Sequence, residues 1–170
     1  MTLDPDPKTL LYVEDDPEAV LLLQRAMKKV GPTFQLEAAP GLEAALMVLD
    51  RARAAPMAVL LDHTLGPFKG TDLLRWMRGK SEYLLTEVAV LSGLDSERQV
   101  VDSYDAGADY YVVKPTQFEM LVDIVDRINR GFVRPSKNLF LYALVMSPYY
   151  RPPLQTARMC GAMRVRRERY

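Results

Sequence analysis

Apolar positions in this chain gather into short dense runs: LLYV at 10–13, FQLEA at 34–38, MAVLL at 57–61, VAVLS at 88–92 and YYVV at 110–113. Four of the five are solidly apolar, the pattern of central parallel strands covered on both faces. The second alternates, with Phe34, Leu36 and Ala38 toward a core and Gln35 and Glu37 away from it, which predicts an edge strand. The segments between them follow the helical period. Asp16 is placed to cap a helix opened by Pro17, whose apolar stripe is Leu22, Leu23, Ala26, Met27 and Val30. Leu42, Leu46 and Leu49 mark a second helix, and a third runs from about Thr71 to Gly79. A fourth starts near Asp95 or Ser96 and stops before Gly107, a glycine suited to the position after a helix end. A fifth opens on TQFE, where Thr116 and Glu119 have capping-box spacing, and buries Leu121, Val125 and Ile128.

Five strand–helix units predict an α/β domain, doubly wound around a five-stranded parallel sheet. In such sheets the ligand crevice lies beyond the carboxyl ends of the strands, at the switch point of the strand order. The residues just past each strand therefore matter most. Glu14, Asp15 and Asp16 follow the first strand, Asp62 ends the third, Ser92 ends the fourth, and Lys114 with Pro115 follows the fifth. A strand order of 2-1-3-4-5 sets Asp15 and Asp62 side by side.

Composition narrows the class. The chain has 170 residues, 49% hydrophobic and 26% charged, with one cysteine and one histidine. This is the make-up of a soluble globular protein, with no run long enough to cross a bilayer and no apolar core of a signal peptide near the start. A lone Cys160 cannot form an internal disulfide, which favours a cytoplasmic setting. A single His63 excludes a multi-histidine metal site, and its imidazole is expected to be exposed and incidental. The zero net charge hides an asymmetry: residues 1–130 hold 14 Lys or Arg against 21 Asp or Glu, a balance of −7, and residues 131–170 hold eight against one, a balance of +7. That break divides the chain into a leader (1–8), a body (9–130) and a basic extension (131–170).

Clustered carboxylates raise one another's pKa unless a cation neutralises them. An all-oxygen site with room for water suits Mg²⁺. An aspartate beside it can act as a nucleophile toward a phosphoryl group, with lysine as a point charge on the transferred oxygens.

The ordered set VEDD, LLD, VLS and VKP, with 30 residues from Asp62 to Ser92 and 22 from Ser92 to Lys114, resembles the receiver domain of bacterial response regulators. The resemblance covers about residues 8–130. It implies the flavodoxin-like receiver fold, order 2-1-3-4-5, and the following roles. Asp62 is the phosphoacceptor. Asp15 and Asp62 ligate Mg²⁺, Glu14 holds a metal-bound water, and Thr64 offers its backbone carbonyl. Lys114 and Ser92 contact the phosphoryl oxygens, Tyr111 is the aromatic switch that rotates inward when Ser92 moves, and the Lys114–Pro115 bond is cis. The output face is that of the fourth helix, fifth strand and fifth helix. The partner implied is a separate sensor histidine kinase, since nothing in the chain supplies an ATP site. No independent turnover is expected, and a phosphatase use of Asp62 is disfavoured by Thr64 standing where a second aspartate is needed. The sequence departs from the family at Gly66, where a proline is common, with Pro67 one residue later. Gly70 keeps its usual place eight residues after Asp62.

The extension is too short for a core of its own. Its apolar run LFLYALVM (139–146) is expected to dock on the body or on a second copy, as an arm in a homodimer. Among receivers the chain is similar to stand-alone regulators that partner bacterial phytochrome-type kinases. Two other readings stay open: a phosphate-independent scaffold with the receiver fold, and a DNA-binding regulator using the basic tail. Nucleic acid is the less favoured partner, because an acidic body lies beside the tail, and a membrane is not expected.

Overall fold

The computed structural model describes residues 8–52, 56, 58–133, 144, 145 and 147–154, and of 132 and 133 only the backbone. Most of the leader, Cys160 and the basic segment from 158 lie outside the described residues. Six strands form the main sheet. They are β1 (Thr9–Val13), β2 (Gln35–Ala39), β3 (Ala58–Asp62), β6 (Glu87–Ser92), β7 (Tyr110–Val113) and β8 (Tyr150–Arg151), in the order β2-β1-β3-β6-β7-β8. The first five are parallel, and their order is the expected 2-1-3-4-5. The sixth is an addition: β8 comes from the C-terminal extension and runs antiparallel along the free edge of β7. A second, two-stranded sheet pairs β4 (Thr64–Leu65) with β5 (Phe68–Lys69).

Alternation along the strands sorts the core into two layers. Leu11, Val13, Val59, Leu61, Val88, Val90 and Tyr111 face α2 (Leu42–Arg51), α3 (Gly70–Arg78) and α4 (Glu97–Asp105). Leu10, Tyr12, Leu60, Leu91, Tyr110 and Val112 face α1 (Pro17–Val30) and α5 (Phe118–Val133). Leu144 is completely buried in the second layer and Val145 packs against it, while the rest of the run 139–146 lies outside the described residues.

Most element ends follow local chemistry. Asp16 accepts from the Glu18 amide at 2.9 Å and Pro17 is the first helical residue, as the capping rules predict. Gly107, with φ of 105°, follows the end of α4. Three expectations need correction. Leu22 is 42% exposed, since the buried stripe of α1 centres on Leu23 and Ala26. Ala38 is exposed and Ala39 is buried, because Ala39 points to the opposite face of the sheet, into the layer shared with Ala45 and Leu49 of α2. α5 begins at Phe118, so Thr116 lies outside the helix and forms no capping box with Glu119.

The strand ends are held by two glycines. Gly66, with φ of 58°, forms the turn between β4 and β5 together with Pro67, so the displaced proline yields a tight hairpin. A Cβ on Gly70 would lie 2.0 Å from the Asp62 carbonyl oxygen and 3.0 Å from the Leu61 side chain. Only glycine lets α3 start this close to the end of β3. Gly70→Ala is expected to displace Asp62 and cost about 1–3 kcal/mol through overpacking, read as a lower urea midpoint.

Candidate functional site

Parallel strands β1, β3 and β7 all end on one rim of the sheet, and the polar side chains at their ends converge. Glu14, Asp15 and Asp62 each offer a carboxylate oxygen within 4.8 Å of the others. Lys114 reaches across from the end of β7. Its Nζ donates to Glu14 Oε2 at 2.6 Å and to Asp62 Oδ2 at 2.9 Å. Glu14 is almost wholly buried, Asp62 is 8% exposed, and Asp15 faces solvent. The Thr64 amide donates to Asp62 Oδ1 at 3.3 Å, and Thr64 itself is exposed at the start of the β4–β5 hairpin. The hairpin turn comes close to Asp15, whose Oδ2 would lie 3.7 Å from a Cβ on Gly66.

Glu14 has a second side-chain partner that sequence reasoning missed. Tyr12 stands two residues earlier on the same face of β1 and donates its hydroxyl to Glu14 Oε2 at 2.8 Å. The signal was present: one polar-tipped aromatic in an otherwise aliphatic strand, in phase with Glu14. Burial, then Asp62 nearby, push the Glu14 carboxyl above its ordinary value despite the bonds from Lys114 and Tyr12. Burial opposes the charge on Lys114, but its hydrogen bonds to Glu14 and Asp62 outweigh that and hold the ammonium above its usual range. The lysine therefore stays charged, as the counter-ion of two carboxylates.

The Lys114–Pro115 bond corrects an expectation taken from the family. No described peptide bond is cis. Trans is the ordinary preference of such bonds by about 0.5–1 kcal/mol, and Lys114 reaches both carboxylates from it.

On the other side of Asp62, Ser92 is buried and donates to Gln99 Oε1 at 2.6 Å, while its oxygen accepts from the Leu94 amide at 3.2 Å. The Tyr111 hydroxyl lies 3.1 Å from the same Gln99 oxygen and 2.8 Å from the Leu94 carbonyl. Tyr111 has no exposed surface. The ring thus lies inward in this structure, and Gln99, absent from the sequence reading, links it to Ser92.

His63 is also corrected: it is 7% exposed, and neither ring nitrogen has a hydrogen-bond partner among the described residues. Burial, then the charge of Lys69, lower its pKa, with Asp102 opposing weakly. As pH falls through about 6.5 the unfolded chain takes up the proton and the folded one does not. Stability should therefore decline from pH 7 to 5 in the metal-free protein, and His63→Phe should flatten that slope in urea titrations at each pH.

The donor set fits a hard divalent cation: oxygen ligands from Asp15 and Asp62 lie at a solvent-facing rim, with Glu14 behind them. No described helix is long and apolar enough to cross a membrane.

A doubly wound parallel sheet with an acid–lysine site at its switch point is the architecture of the flavodoxin-like signalling domains. The chain belongs to the response regulator receiver domain family, whose profile matches residues 10–126. It is therefore a receiver domain of two-component signalling, a class that pairs with histidine kinases. It is 30% identical over 127 residues to the probable methanogenesis regulatory protein FilR2 of Methanothrix harundinacea, covering 72% of this chain and 82% of that one. It is 34% identical over 113 residues to the response regulator MprA of Mycobacterium leprae, covering 66% of this chain and 47% of MprA, so it spans about half of that longer regulator. Among solved structures, the bacteriophytochrome response regulator AtBRR is 29% identical with a TM-score of 0.58, covering 68% of this chain and 87% of that one. The Mn²⁺-bound response regulator Rcp1 has a TM-score of 0.66 at 24% identity, covering 76% and 97%, a likeness of fold.

Proposed function

We propose that the chain is a phosphorylation switch that accepts a phosphoryl group on Asp62 from the phosphohistidine of a separate sensor kinase. The observation that carries this reading is the convergence of Asp62, Asp15, Glu14 and Lys114 at the switch point. In the transfer, an Asp62 carboxylate oxygen forms a bond to phosphorus as the nitrogen–phosphorus bond of the phosphohistidine breaks. The imidazole leaves with the electron pair. Asp15 and Asp62 would hold Mg²⁺, with Glu14 behind them and the Thr64 carbonyl at the hairpin. The cation would neutralise charge on the transferring oxygens.

Lys114 then exchanges one of its two carboxylate contacts for a phosphoryl oxygen, a short move for a flexible point charge. Ser92 turns its hydroxyl from Gln99 to another. The new group adds about −1.5 to −2 charges beside Glu14 and Asp15, so these donors and the cation are what make it tolerable. The protein needs no turnover of its own: it is a substrate of the kinase and a binary signal afterwards, in the cytoplasm where such kinases present their phosphohistidine. A phytochrome-type kinase is the partner that the likeness to AtBRR favours, and a homodimer through residues 131–170 would be a further level of output.

Mg²⁺ with beryllium fluoride, which mimics a bound phosphoryl group, tests the reading. A fluorine NMR resonance for the bound complex is expected in the native protein and absent in Asp62→Asn. No resonance in either would favour a phosphate-independent scaffold.

A further inference from the structure

The C-terminal segment 147–151 lies along the outer edge of β7, where a receiver of five strands would leave a row of open backbone groups. The Val113 amide donates to the Tyr149 carbonyl at 2.9 Å. One rung further, Tyr111 faces Arg151 in the antiparallel register. The Tyr104 hydroxyl, reaching out of α4, stands between them: it accepts from the Tyr111 amide at 3.2 Å and donates to the Arg151 carbonyl at 2.6 Å. Arg151 closes the seat with a two-pronged pair to Asp95 at 2.6 and 2.8 Å, in the loop that leads into α4. The ring of Tyr150 packs edge-on against Tyr110.

This strap is thus fastened to α4 and its leading loop as much as to β7. The first turn of α4 carries Gln99, the acceptor that holds Ser92 and lies within reach of Tyr111. Tyr104 and Gln99 are five residues apart on one short helix, so the two ends of α4 cannot move independently. We infer that segment 147–151 is an intramolecular cover over the output edge of this receiver, and that phosphorylation of Asp62 loosens it through α4.

The inference rests on Asp62 being the phosphoacceptor. When Ser92 turns to a phosphoryl oxygen it releases Gln99, and the first turn of α4 loses its anchor to the site. A small rotation of α4 withdraws the Tyr104 hydroxyl from the rung it completes, and Asp95 moves with the loop. The β7 edge is then free to accept an extended segment of a partner. Coupling of this kind is reciprocal: whatever loosens the strap must also favour the phosphorylated packing.

Hydrogen exchange of the Val113 amide in the full chain reads the cover directly. With Mg²⁺ and beryllium fluoride, exchange is expected to accelerate by about tenfold, a size ordinary for such coupling. In Arg151→Asp the amide should exchange fast in both conditions, and beryllium fluoride should saturate Asp62 at a several-fold lower concentration. Asp95→Arg combined with Arg151→Asp should restore protection. An unchanged Val113 rate while the bound fluorine resonance is present would overturn the cover and leave the phosphoacceptor reading standing. Absence of that resonance would overturn both. Protection that fades on dilution would assign the strand to a second copy and overturn an intramolecular cover.

Discussion

Arg78→Ala is expected to remove about 3–5 kcal/mol of stability, lowering the urea midpoint by roughly 2 M, because it strips the partner from a buried charge. Arg78 and Asp109 are nearly inaccessible, at 6% and 4% side-chain exposure, and meet at 2.9 Å. The guanidinium also donates to the carbonyls of Gly107, Tyr83 and Thr86. Asp109 in turn accepts from the Val88 amide at 2.8 Å. One side chain thus ties the end of α3 to the turns that lead into β6 and β7. Loss of one partner leaves Asp109 buried with an uncompensated charge and three carbonyls short of a donor. Arg78→Lys should fall between, since an ammonium keeps the charge and loses the fork. The fluorescence of Trp76, stacked on Tyr83 beside the clip, reports the transition. A loss below 1 kcal/mol in Arg78→Ala would mean that water replaces the clip.

Lys114→Ala should have opposite effects on the two halves of the site's chemistry. Lys114 sits between Glu14 and Asp62 as their shared cation. Its removal leaves two carboxylates unneutralised, which should tighten Mg²⁺ binding and shift Glu14 further toward its protonated form. The same change removes the charge that meets the transferred phosphoryl oxygens. Phosphorylation by a small phosphodonor should therefore slow by about a hundredfold, the usual scale for one lost electrostatic donor. Mg²⁺ titration and phosphorylation rate, measured on the same variant, check the split. Weaker metal binding together with an unchanged rate would show that Lys114 is only a structural counter-ion.

What could be read from the sequence was set by where chemistry sits in this fold. The residues of the acid–lysine site each follow directly on a buried apolar run, so hydrophobic pattern locates them without any knowledge of side-chain packing. Glu14, Asp15, Asp62 and Lys114 were legible for that reason, and so was the division of labour in which Asp16 caps α1. Gln99 was not legible, because it is one polar residue in a helix and gains its role only when α4 packs against the end of β6. Tyr12 was half legible, by its phase with Glu14. His63 is buried where its amide bonds the Leu91 carbonyl and its carbonyl receives the Gly70 amide, long-range and turn geometry which no local pattern reports. The strap was invisible for another reason: two residues, Tyr150 and Arg151, make a strand only because β7 and Tyr104 offer partners. The trans Lys114–Pro115 bond shows the limit of family resemblance, which carries over a usual conformation as well as a chemistry.

The central claim is that Asp62 takes the phosphoryl group. Full-length protein incubated with Mg²⁺ and a small phosphodonor should gain the mass of one phosphoryl group, and borohydride reduction with peptide mapping should place it on Asp62. The gain should vanish in Asp62→Asn. A modification that survives that substitution or maps to another residue, or an unmodified native protein, would contradict the account.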